Sequence, residues 1–118
     1  MVATVTNEPE ASTVDAESIA DSTDAALRMQ LGTSTREDIN ARTAVVIKHL
    51  NHLLAQDLGA DGDPEVRDLF RQAYRLLELT GRPTKETAAL NAFFYMRDVA
   101  NVARRLLWIY TEPSHHAT

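Results

Sequence analysis

Residues 84–111, TKETAALNAFFYMRDVANVARRLLWIYT, decide the fold of this 118-residue chain. They follow Arg82-Pro83, end before Pro113 and contain neither glycine nor proline, so the spacing predicts one helix from Thr84 to Thr111 with Thr84 as its cap. Stepping about 100° per residue from Met96 puts Met96, Ala100, Ala103, Leu107 and Tyr110 on one stripe, and Tyr95, Val99, Val102, Leu106 and Ile109 on its neighbour. Together the stripes cover roughly half the circumference, whereas a surface helix usually shows an apolar stripe a little over ~100° wide. This helix is therefore expected at the centre, touching neighbours on more than one side.

The opposite arc carries Arg97, Asp98, Asn101, Arg104 and Arg105, yet Leu90, Phe94 and Trp108 fall among them. Large apolar residues are usually buried, so one reading has a first helix or an N-terminal tail folded over all three, with the Trp108 indole N–H partnered at the rim. The other reading is an interface formed by Leu90, Phe94, Arg97, Asn101, Arg104, Arg105 and Trp108, since Trp and Arg are enriched at interface hot spots. The partner would be a second copy of the chain or another protein. Arg97, Arg104 and Arg105 near Trp108 also suggest a cluster that stacks bases and binds phosphates, set against a solvated face with local charge pairing and an Arg104–Trp108 cation–π contact.

Working outward, Asp63-Pro64-Glu65 predicts the start of another helix: a capping aspartate, proline at the first position and an acidic first turn. Val66, Leu69, Phe70, Ala73, Leu76, Leu77 and Thr80 would face inward, and Gly81 would close it. Before it, Ser34-Thr35-Arg36-Glu37 fits a capping box between Ser34 and Glu37. Ile39, Thr43, Val46, Leu50, Leu53 and Leu54 then recur at helical spacing until Gly59, the expected left-handed stop before a turn at Ala60-Asp61-Gly62. Between Val14 and Leu31 only Ile19, Ala26, Leu27 and Leu31 mark a weak stripe, which Gly32 would end. No stretch alternates as a strand does. The expectation is an all-α fold, a small antiparallel bundle in which three main helices form consecutive hairpins and the weaker N-terminal helix is a fourth member or a flap.

At this length one domain is expected, here residues 14–113, between a disordered acidic leader at 1–13 and a flexible tail at 114–118. No apolar run approaches the ~20 residues of a membrane span, no basic-then-apolar secretory start is present and cysteine is absent. A cytoplasmic protein without disulfides or thiolate metal sites follows. Of the net charge of -5, residues 1–33 supply all, with Glu8, Glu10, Asp15, Glu17, Asp21 and Asp24 against Arg28. The rest is balanced, which leaves no general electrostatic case for nucleic acid.

Catalysis calls for a nucleophile beside a base or paired carboxylates in one pocket, and the spacing offers neither, so an enzyme is not expected. His49 and His52 stand three apart with Gln56 nearby, but no acidic residue completes a metal site locally and Lys48 adds positive charge. His115 and His116 fall in the tail. Asp57 is expected on the apolar side of the second helix near its end, solvated or paired with an arginine of a neighbouring helix. An aromatic small-molecule pocket near Phe93, Tyr95 and Trp108 is a further reading. No metal or cofactor is expected.

A-Y-R-L-L-E at 73–78 and M-R-D-V-A-N-V-A-R-R-L-L-W-I-Y-T-E-P at 96–113 resemble a family of small Streptomyces helical proteins of unknown function. In that family an Ala-Tyr-x-Leu-Leu segment precedes Asp-Leu-Ala-x-x-Ala-Arg-x-Leu-Leu-x-Leu-Tyr-x-x-Pro. The similarity spans about residues 66–113; this chain differs in a longer Gly81–Asn91 connection and in Phe93-Phe94-Tyr95 before Asp98. The resemblance implies an actinobacterial, cytoplasmic, helical protein and assigns no functional residue.

Overall fold

The computed structural model describes residues 15–78 and 82–111. The leader at 1–13, Thr80, Gly81, Pro113, and the tail with His115 and His116 lie outside them. The regular elements of the described chain are all helical: α1 (Ala16–Arg28), a 3₁₀ turn (Leu31–Thr33), α2 (Arg36–Leu54), α3 (Pro64–Leu77) and α4 (Ala89–Thr111). Among the described residues there is no strand.

The helices begin where short polar side chains satisfy the free N–H groups of a first turn. The Asp15 carboxylate accepts from the Ser18 N–H at 3.1 Å, and Asp63 accepts from the Glu65 N–H at 2.9 Å with Pro64 behind it. For α2 the capping box sits one residue later than expected: Thr35 Oγ1 accepts from the Asp38 N–H and Asp38 Oδ2 from the Thr35 N–H, at 3.0 and 3.1 Å. Ser34/Glu37 and Thr35/Asp38 both fit the box pattern, so the pattern alone leaves two frames open.

Four ends move from their expected places. α3 stops at Leu77, ahead of Gly81, because Glu78 is extended. α1 stops at Arg28 because Met29 and Gln30 are extended, and Gly32 lies in the 3₁₀ turn. α2 stops at Leu54, ahead of Gly59, whose φ of +86° serves instead the turn closed by the Gly62 N–H on the Gly59 carbonyl at 3.1 Å. Asp57 is thus in a loop, exposed, accepting from the Gly59 N–H at 3.3 Å, and is on no helix face. α4 starts at Ala89, since Thr84 and Thr87 hydroxyls compete for the backbone of a preceding turn: Thr87 Oγ1 accepts from the Thr84 N–H at 2.8 Å. Arg36 clamps that turn, donating to the Thr84 and Thr87 carbonyls at 2.7 and 2.6 Å.

α4 is the common neighbour, packing most extensively on α2, then α1, then α3. α2 and α3, expected as a hairpin pair, touch only slightly and meet through α4. Glu65 meets Arg105 while Leu76 meets Tyr95, so α3 runs opposite to α4. Likewise Leu27 meets Arg97, and the start of α1 borders Leu107 and Thr111, so α1 also runs opposite. Both stripes of α4 are buried except Tyr110, which is half-buried, and they meet Ile39, Val46, Leu50 and Leu53 of α2 and Val66, Leu69 and Ala73 of α3. α1 contributes Ile19, Ala26 and Thr23, the last satisfied by donating to the Ala20 carbonyl at 3.1 Å. It is therefore the fourth member of the packing, with Ala100 and Ala103 of α4 fully buried and adding little bulk where the neighbouring helices meet it.

Candidate interaction face on the long helix

The outer side of α4 keeps its large apolar residues half open: Leu90 is 47% exposed, Phe94 51% and Trp108 57%. Phe93 and Tyr95, the neighbours of Phe94 in sequence, are buried, so the aromatic run is split between two sides of the helix. α1 forms one wall of a groove beside Trp108, with Ala16, Glu17, Ala20 and Asp24 opposite Arg104. On the other flank, Asp63, which caps α3, and Val66 of α3 face Arg104, Trp108 and Ile109 across a cavity of about 240 Å³. Arg104 and Trp108 thus stand as a ridge between two grooves.

Leu90, Phe94, Arg97, Asn101, Arg104 and Trp108 follow one another at intervals of four, three, four, three and four. That is the heptad spacing of a coiled-coil seam, two positions per seven residues on one line along the helix. From Leu90 to Trp108 the line is about 27 Å long at 1.5 Å per residue. Polarity alone does not mark this line, because two of its six positions are arginine and one is asparagine.

The three arginines differ in what they do. Arg97 is half-buried, donates through Nη1 to the Leu27 carbonyl at 2.9 Å and lies over the Phe93 ring at 5.8 Å, so it fastens α1 to α4. Arg105 pairs with Glu65 at 2.7 Å across the α3 groove. Arg104 is exposed and makes no side-chain hydrogen bond or ion pair among the described residues. The acidic excess expected for a leader is partly on the fold itself: Asp15, Glu17, Asp21 and Asp24 are exposed on α1 and its cap, and Glu17 and Asp24 line the groove next to Arg104.

The other candidate positions separate in space. Tyr95 and Trp108 border different grooves: Tyr95 one with Asn40, Ile47 and Arg82, and Trp108 the two described above. Tyr95 instead donates its hydroxyl to the Leu76 carbonyl, and Arg82 donates to the Leu77 carbonyl at 3.1 Å. These two side chains cap the last turn of α3, a role that spacing could not reveal because it joins separate helices. Burial raises the Tyr95 hydroxyl pKa above its usual value, with Arg82 opposing. His49 and His52 also part: His49 Nε2 meets Ser22 Oγ on α1 at 3.2 Å, while His52 is exposed. Among the described residues no group of three or more His, Asp or Glu side chains is placed to hold a metal ion, and no helix is long and apolar enough to cross a membrane.

No protein-family model, curated protein or solved structure matches the chain.

Proposed function

We propose that this chain is a small cytoplasmic protein–protein interaction module, without catalytic activity or cofactor, that self-associates through the outer face of α4. The bearing frame is read as a small antiparallel helical bundle of three main helices with α1 as the shorter fourth, in keeping with the Streptomyces family it resembles. One observation carries the proposal: Leu90, Phe94 and Trp108, each about half exposed, stand at heptad spacing on the helix that also forms the core. Three large apolar side chains about half exposed on one line are the kind of surface that a partner covers. Trp at one end and arginines between them match the chemistry of interface hot spots.

Sedimentation velocity or light scattering over a micromolar concentration series tests it. The full chain is expected to dimerise, and Phe94→Ser with Trp108→Ala to be a folded monomer at the same concentrations. A wild-type chain that stays monomeric throughout would remove the proposal.

A nucleic-acid role for Arg97, Arg104 and Arg105 draws less support. Arg97 is engaged with Leu27 and Phe93, Arg105 with Glu65, and acidic Glu17, Asp24 and Asp63 surround Arg104. Binding to duplex DNA that weakens steeply with salt would favour it nonetheless.

A further inference from the structure

The seam on α4 has intervals of four, three, four, three and four, which are symmetric about its middle, so two antiparallel copies bring different residues into complementary pairs. Its six positions pair about residue 99, Leu90 with Trp108, Phe94 with Arg104, and Arg97 with Asn101. A two-fold interface presents the same patch from both copies, so residue i meets j and j meets i. An antiparallel pairing of two such helices generates these three contacts twice each.

Each contact has a physical rationale. Leu90 against Trp108 closes apolar surface that is half open on both residues. Phe94 can present a ring face to Arg104, the one of the three α4 arginines with no side-chain hydrogen bond or ion pair among the described residues, and a guanidinium over a ring is attracted by its quadrupole. Arg97 uses Nη1 for the Leu27 carbonyl and keeps further N–H donors, which the Asn101 amide oxygen can accept. Glu17 and Asp24 on the rim offset the positive charge that two copies bring together.

The alternatives are poorer. Parallel pairing in register gains an Asn101–Asn101 layer, which suits parallel dimers, but it stacks Arg97 on Arg97 and Arg104 on Arg104. Shifting the antiparallel register by one heptad either way strands Leu90 or Trp108 without an apolar partner on the seam.

We infer that the partner of this face is a second copy of the chain, docked antiparallel with the two-fold axis at residue 99 so that Leu90, Phe94 and Arg97 meet Trp108, Arg104 and Asn101 of the other copy. This rests on the self-association proposed above and specifies its geometry.

The chain has no cysteine, so single cysteines introduced on the exposed flank of the seam report the pairing without background. Asp98→Cys, Asn91→Cys and Arg105→Cys, each in the full-length protein, would be treated with a short bis-maleimide and read on a denaturing gel. With the axis at residue 99, position 91 is about 24 Å and position 105 about 18 Å along the axis from its own copy in the antiparallel dimer, whereas 91 and 105 of opposite copies lie within about 3 Å of one level. The expected result is that Asp98→Cys links to itself, that Asn91→Cys and Arg105→Cys alone do not, and that their mixture does. Linking of Asn91→Cys and Arg105→Cys each to itself would mean a parallel pair and overturn this geometry while leaving self-association standing. Dimers in light scattering that give none of these links would place the interface elsewhere and overturn both the geometry and the choice of face. A strict monomer would remove the underlying proposal.

Discussion

The two sides of α4 present similar residue types in different circumstances. On the inner side Met96, Val99, Ala103 and Leu106 are fully buried and meet three other helices. On the outer side Leu90, Phe94 and Trp108 remain about half in solvent, separated by arginines and an asparagine. Hydrophobicity alone does not distinguish them; what does is whether a neighbour in the same chain reaches them. The inner side should therefore govern whether the monomer folds, and the outer side whether two monomers meet.

The largest expected effect lies on the inner side. Leu106→Ala removes a fully buried side chain at the middle of the packing and should cost about 2–5 kcal/mol in chemical denaturation. If it cost no more than Phe94→Ala measured on dilute protein, the distinction between the two sides would collapse. On the outer side, Trp108→Ala should change dilute-protein stability by about 1 kcal/mol or less, since surface substitutions rarely do more. It should nevertheless weaken dimerisation at least tenfold, a loss of about 1.4 kcal/mol in association, checked by sedimentation equilibrium.

Between the two sits an effect of pH confined to the inner packing. His49 joins α2 to α1 through Ser22, and its Nδ1 is buried with no hydrogen-bond partner among the described residues. Burial lowers its pKa below the ordinary value of about 6.5, with His52 and Lys48 adding to the effect and Asp15 opposing it. A folded-state pKa below the unfolded one means that the unfolded chain binds more protons between the two values, so stability rises with pH there. The contribution is fully present above about 6.5 and is lost as pH falls through the lowered folded value. Melting temperature followed from pH 8 to pH 5 should fall more steeply for the native chain than for His49→Gln. Identical slopes would show that this imidazole does not couple the α1–α2 contact to protons. The seam contains no histidine, so the comparison between the two sides should widen in acid.

The inner side was legible in the sequence because burial imposes a period: both stripes deduced from Met96 and Tyr95 coincide with the buried residues, Tyr110 being only half-buried. The outer side was legible as an anomaly, and whether α1 covered it was not, because α1's stripe is short and says nothing of where it docks. The exposure of Phe94 and the burial of Phe93 on the same helix follow from position, not from residue type. Ends were read less well than faces. Thr84 was a sound capping residue in composition, but the hydroxyl of Thr87 and the distant guanidinium of Arg36 draw its backbone into a separate turn, and only the fold brings Arg36 there. Glycine misled for a related reason: Gly59 does adopt the left-handed conformation, but in the loop beyond the helix. The roles of Arg97 and Arg105, a fastening to α1 and a pair with α3, depend on which helices flank α4 and have no signature in local spacing.

The smallest effect is also the one that most sharply separates folding from association on the outer side. Asp98 is exposed, and no ion pair of its side chain is present among the described residues. In the monomer its replacement by asparagine should therefore leave stability within about 0.5 kcal/mol. In an antiparallel pair centred on residue 99, however, Asp98 lies one residue from the axis and faces its own copy across the flank of the seam. Two exposed carboxylates at that range repel weakly, by an amount comparable to a surface ion pair of opposite sign, about 0.2–1 kcal/mol and screened by salt. Asp98→Asn should accordingly tighten the dimer by up to about fivefold at low ionic strength, and the gain should shrink as salt is added. A substitution that weakened the dimer would mean that Asp98 meets a cation across the interface, which places an arginine, and hence a different register, opposite it.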